Sequence, residues 1–129
     1  MSNQDDAAER KMIEQTLDDY FQGMHHSRGD LIEACFHENG SICGFSSASG
    51  ERLDMNRSAF AAFVTSQPSP ADNGEAFDMT IKSLDMKGRV AMVFVDDLYL
   101  GKRFTDYLLL VKDGDKWSIL NKVWHADPA

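Results

Sequence analysis

The chain has 129 residues, enough for one domain with a real core and too few for two of ordinary size. Its formal charge is -8, from 21 acidic against 13 basic residues with no basic run, so the surface repels phosphate backbones and anionic membranes, and neither is expected as a partner. No leader pattern opens the chain and no apolar run nears the ~20 residues that span a bilayer, which makes a cytoplasmic location the expectation.

Residues 1 to 6 are expected to form a flexible N-terminus. From about Asp6 to His26, Met12, Ile13, Leu17, Tyr20, Phe21 and Met24 recur at spacings of three and four with charges between them, which predicts one long amphipathic helix. After Ser27-Arg28-Gly29, Asp30 and Glu33 read as a capping box for a short second helix with Leu31, Ile32, Cys35 and Phe36 on its face. Gly40 to Phe45 and Glu51 to Asp54 predict two short strands, and Asn56 is placed to cap a third helix carrying Phe60, Phe63 and Val64. Cys35 and Cys43, eight apart, fit neither a redox nor a zinc spacing and read as buried thiols.

The second half changes character. Ala76 to Asp85, Arg89 to Leu100, Lys102 to Lys112 and Lys116 to His125 are rich in β-branched, aromatic and leucine residues, and are joined by turns too short for anything but antiparallel pairing. Helices gathered in the first half and a meander in the second predict an α+β domain spanning residues 1 to 129, with helices covering one face of the sheet.

Strand side chains alternate between faces. A three-residue turn in the last hairpin would set Lys112 opposite Lys116 and Asp106 opposite Lys122. One face then carries Phe104, Asp106, Leu108, Leu110, Ser118, Leu120, Lys122 and Trp124, and the other Thr105, Tyr107, Leu109, Val111, Trp117, Ile119, Asn121, Val123 and His125. Both are largely apolar while the helices cover only one, so a homodimer through the outer, convex sheet face is expected. The direction in which Arg89 to Leu100 faces stays open, because a one-residue shift at Gly101 reverses it.

Tyr20-x-x-Gly23, Gly29-Asp30, Phe36-His37 and the block from Phe104-Thr105-Asp106-Tyr107 through Trp117-x-Ile119-x-Asn121-Lys122-Val123-Trp124-His125 together resemble the putative lumazine-binding subfamily of nuclear transport factor 2-like domains. The resemblance covers about residues 10 to 126. It implies a cystatin-like cone of three N-terminal helices on a strongly curved, mostly antiparallel sheet, with a small-molecule pocket between helices and concave face. The C-terminal strands are also similar to those of ketosteroid isomerases, and polyketide cyclases share the scaffold. That likeness puts Asp106 at the place of an oxyanion-binding acid and Tyr20 near that of a hydrogen-bonding tyrosine, while Gly44 stands where the isomerase base would be.

Asp106 and Lys122 are charges on an apolar strand face, which are costly to bury unless paired. They read either as an ion pair fixing strand register or as an acid, base or ligand anchor with a movable pKa. Tyr20, Asp106 and His37 are the candidate catalytic groups, with His125 a further imidazole at a strand end. Phe45, Phe60, Phe63, Met92, Phe94, Leu108, Leu120 and Trp124, with Tyr20, Asp106 and Lys122, are the candidate pocket residues, suited to a flat apolar ligand held by a few polar groups. No metal-ligand spacing, phosphate loop or nucleophile elbow is present, so no metal or cofactor is expected. Binding without catalysis, acid-base chemistry by an isomerase, cyclase or dehydratase, and a dimeric interaction module remain as alternatives.

Overall fold

A computed structural model describes residues 3 to 129, with side chains from Asp5 onward. Three helices come first in packing order: α1 (Asn3–His25), α2 (Gly29–Cys35) and α3 (Arg57–Ser66). They cover one face of a six-stranded curved sheet made of β1 (Phe36–Ser46), β2 (Arg52–Asn56), β3 (Met79–Lys87), β4 (Val90–Tyr99), β5 (Lys102–Asp113) and β6 (Lys116–Pro128). The expected flexible segment lies outside the described residues at positions 1 and 2, and the chain is helical from Asn3.

The sheet order is β2-β1-β6-β5-β4-β3. Every neighbouring pair is antiparallel except β1 and β6, which run parallel and bring Gly44 beside Trp124. α1 buries the stripe Ile13, Leu17, Tyr20, Phe21 and Met24, the helical spacing read from the sequence. α2 carries no side-chain cap: Asp30 instead forms an ion pair with Arg28 at 2.6 Å, so the predicted capping box is not made. Asn56 does cap α3, its side-chain oxygen accepting from the Ala59 amide at 2.8 Å. α2 can lie against α3 because Gly29 has no side chain; a Cβ there would sit 2.1 Å from Thr65 Oγ1. Cys35 is buried, whereas Cys43 is only half-buried beside Asp54, and both are free thiols.

The last hairpin departs from the expected register in two places. Its turn has two residues, Gly114 and Asp115, so Asp113 faces Lys116, and a bulge opposite Leu109 and Leu110 then leaves Leu120 without a partner. Each event shifts the register by one. Between turn and bulge the faces are reversed, so that Trp117 and Ile119 enter the core. Beyond the bulge the parity is restored: Asp106, Lys122 and Trp124 share the inner face, but Asp106 faces Trp124 and Lys122 faces Leu108. The turn between β4 and β5 is likewise two residues, Leu100 and Gly101, both at positive φ, and Glu75 accepts from both their amides at 3.1 and 2.7 Å. That turn settles β4: Val93, Val95, Asp97 and Tyr99 face inward.

Candidate functional site

At the wide end of the sheet, between α1, α3 and the strands, lies a cavity of about 250 Å³. Its walls are apolar side chains of every layer, among them Met24, Ile42, Met55, Phe60, Phe63, Tyr99, Phe104 and Trp124, and the charged groups lining it are Lys102, exposed at the rim, and Lys122, only 1% exposed. Lys122 Nζ lies 4.6 Å from the centre of the Phe60 ring, 5.0 Å from Tyr20 and 6.0 Å from Phe104. Three aromatic faces around an ammonium stabilise it through the ring quadrupoles. They offer it no acceptor, and no carboxylate among the described residues comes within ion-pair distance of it.

One layer behind Lys122, Tyr20 of α1 donates its hydroxyl to Asp106 Oδ2 of β5 at 2.7 Å, with both residues fully buried. Asp97 of β4, also fully buried, lies diagonally across the strand pair from Asp106, since Asp97 faces Phe104 and Asp106 faces Val95. Neither oxygen of Asp97 nor Asp106 Oδ1 has another hydrogen-bond partner. Burial first, and the Asp106 charge second, hold Asp97 well above the usual carboxylate range, with Lys122 acting the other way. The same two causes raise the Tyr20 hydroxyl far above its ordinary value. Two carboxyls buried this near one another repel when both are ionised, which is why the Asp106 charge adds to the effect of burial on Asp97.

Of the residues singled out from the sequence, Phe60, Phe63, Lys122 and Trp124 line the cavity. Asp106 and Leu108 are buried on the same sheet face, and Tyr20 on the α1 side that packs against it, without lining the cavity. Asp106 and Lys122 do not meet as a register-fixing pair, because the turn and bulge set them diagonally apart. The remaining placements are corrections. Met92 and Phe94 point to the outer face, where Phe94 stacks on Tyr107 at 5.2 Å, because the β4–β5 turn turns Val93 and Val95 inward. Phe45 is exposed on the same outer face, and Leu120 sits in the bulge away from the cavity. His37 bonds to Asp113 at the opposite, narrow end at 2.7 Å, and His125 bonds to the exposed Asp127 at 3.2 Å.

A family model described as "Putative lumazine-binding" matches residues 8–125. The chain belongs to the putative lumazine-binding family. Among solved structures, this family member is similar to a nuclear transport factor 2-like protein of unknown function from Shewanella baltica OS155, at 25% identity over 95% of this chain and 97% of that one with a TM-score of 0.82. It is also similar to proteins of the same description from Methylobacillus flagellatus KT (25% identity, 98% and 94% coverage, TM-score 0.76) and Silicibacter pomeroyi DSS-3 (24%, 98% and 99%, TM-score 0.78). No curated relative matches. The fold is therefore nuclear transport factor 2-like.

Two features of this family member separate its site from the isomerase pattern its strands resemble. At Gly44, where the isomerase base would stand, the Trp124 indole lies so close that a Cβ would be 2.0 Å from its ring carbons. No side chain but hydrogen fits there. Asp97, in contrast, is a buried carboxyl that the sequence reading passed over; with Val93 and Val95 it forms a period-two series, and the signal for it was an acidic residue in phase with apolar ones.

Proposed function

We propose that the protein binds a small, flat, mostly apolar molecule in the cavity between its helices and the inner sheet face. The observation that supports this most is the cavity itself: an apolar space in which Lys122 is, among the described residues, the one buried charged side chain of the lining. At about 250 Å³ it falls just under the ~300–1,000 Å³ of drug-sized sites, which favours a compact bicyclic ligand such as a lumazine, the class the family description carries. The test is a fluorescence titration with the neutral probe N-phenyl-1-naphthylamine and with lumazine as competitor. Met55→Trp, which fills the cavity from the partly exposed edge strand β2, should weaken probe binding at least about tenfold, since the ring displaces the ligand. Unchanged binding by Met55→Trp would place the site elsewhere.

Tyr20, Asp106 and Asp97 support a second reading, acid-base catalysis in the same cavity, because shared protons with displaced pKa values are the equipment of such sites. Against it, none of the three lines the cavity. The binding reading is the stronger.

The proposal includes a twofold dimer through the outer sheet face. Val90, Met92, Tyr107, Leu109 and Val123 are each 45% to 54% exposed and lie side by side on β4, β5 and β6. An apolar patch of this continuity on a lone subunit is unusual. Sedimentation should return a dimer for the native chain and a monomer for Leu109→Asp, whose charge would be desolvated twice across the symmetry axis. A native monomer at micromolar concentration would refute the dimer without touching the cavity.

A further inference from the structure

The donors at the cavity outnumber what the protein offers them. Lys122 Nζ carries three N–H bonds, and Phe60, Tyr20 and Phe104 surround it with ring faces only. Tyr99 also lines the cavity, and its buried hydroxyl has no hydrogen-bond partner. A ligand that fits must therefore bring acceptors to this floor, and the question is whether they arrive as an anion or as neutral oxygens.

Charge balance decides it. Asp97 and Asp106 lie diagonally across the β4–β5 pair, fully buried and with no cation in ion-pair contact. Lys122, on the same inner face one strand away, is the one buried lysine or arginine among the described residues. Two acidic groups thus stand against one basic group before any ligand enters. A carboxylate ligand would add a third acidic group to an apolar enclosure that holds one basic one, which burial penalises. A carbonyl oxygen satisfies the ammonium without adding charge, through a charge-assisted hydrogen bond.

Resting on the cavity-binding reading above, we propose that the ligand is an uncharged, flat carbonyl compound whose oxygen sits on Lys122 Nζ, and that the site discriminates against carboxylates of the same shape. Lys122 is thereby the selecting residue, and Asp97 and Asp106 act through it by fixing the net charge.

Three probes with one ring system test this: 2-acetylnaphthalene, 2-naphthoate and 2-ethylnaphthalene, titrated at pH 7.5 against the full chain. The ketone should bind about tenfold or more tighter than the hydrocarbon, as expected for a hydrogen bond to a charged donor, and tighter than the carboxylate. Lys122→Met should abolish the ketone's advantage over the hydrocarbon measured in the same variant, since Met replaces the stem of the side chain with apolar volume and offers no donor. Lys122→Gln, a neutral donor, serves should the Met variant not fold, and should lower the ketone's advantage. Tighter binding of 2-naphthoate than of 2-acetylnaphthalene overturns the proposal, as does a ketone advantage that survives Lys122→Met or is undiminished in Lys122→Gln. Should neither neutral probe bind the native chain, both this inference and the cavity reading fall; should both bind equally, only this one does.

Discussion

The two ends of the β5–β6 hairpin use the same strands for opposite purposes. At the narrow end, before the bulge, Trp117, Ile119 and Leu110 pack into the core, and a polar clip closes the rim: Glu9 of α1 accepts from Lys112 Nζ and from Trp117 Nε1, the latter at 2.6 Å. At the wide end, beyond the bulge, the inner face carries Asp106, Lys122 and Trp124, the last two lining the cavity. One end places its charges at the surface and its apolar groups inside; the other buries two ionisable side chains of the hairpin among apolar ones. Burying ionisable groups is costly for folding, and local departures of this kind concentrate at functional sites rather than in packing cores.

Substitutions at the two ends should separate stability from binding. Asp106→Ala leaves the buried Tyr20 hydroxyl without its acceptor and opens a void behind the cavity, so unfolding free energy in denaturant titrations should fall by about 1–3 kcal/mol, and ligand affinity should fall with it. Ile119→Ala at the narrow end should cost about 2–5 kcal/mol through the cavity it leaves, while ligand affinity per folded molecule stays unchanged. If Ile119→Ala alters affinity as strongly as Asp106→Ala, the division between the ends is broken.

Gly44→Ala sharpens the comparison within the wide end. Its new Cβ must push the Trp124 ring off β1, so stability should drop by about 1–3 kcal/mol, and the displaced indole should reduce ligand affinity by more than the stability change alone explains. Isothermal titration of the folded fraction checks this.

Acidity distinguishes the ends with opposite sign. Glu9 is held below its ordinary value of 4.5 by its hydrogen bonds from Lys112 and Trp117, so its contribution is present above that pH and is lost as pH falls through the lowered folded value. Asp97 is raised above its ordinary 3.8 by burial and by Asp106, so stability is greatest below that value and declines as pH rises toward the raised folded one. In denaturant titrations across pH, Asp97→Asn should flatten the decline on the alkaline side, and Glu9→Gln should flatten the loss on the acid side. An Asp97→Asn variant with an unaltered alkaline slope would show that the carboxyl is not buried as described.

Much of this fold was legible because its signals are local and periodic: the α1 stripe, the Asn56 cap and the four long strands each announce themselves within a few residues. Register was not legible, because the two-residue turn at Gly114 and the bulge at Leu120 are decided by packing across the whole hairpin. Hence Trp117 and Ile119 were expected outside and lie inside. The family resemblance singled out Tyr20 and Asp106 as separate candidate groups; their 2.7 Å hydrogen bond to each other was not legible in the sequence. Met92 and Phe94 were misplaced because aromatic and sulfur side chains fill outer faces as readily as pockets when a second surface must be covered.

The chain contains two tryptophans, and they occupy the two ends: Trp124 lines the cavity, while Trp117 is buried against Glu9. The most direct measurement is therefore an amide and indole correlation spectrum of nitrogen-15-labelled protein during titration with lumazine and 2-acetylnaphthalene. Binding in the cavity predicts that the Trp124 indole signal moves and the Trp117 signal stays. A saturable shift of Trp117 alone, or of outer-face residues such as Tyr107 and Leu109 with Trp124 unmoved, would contradict it.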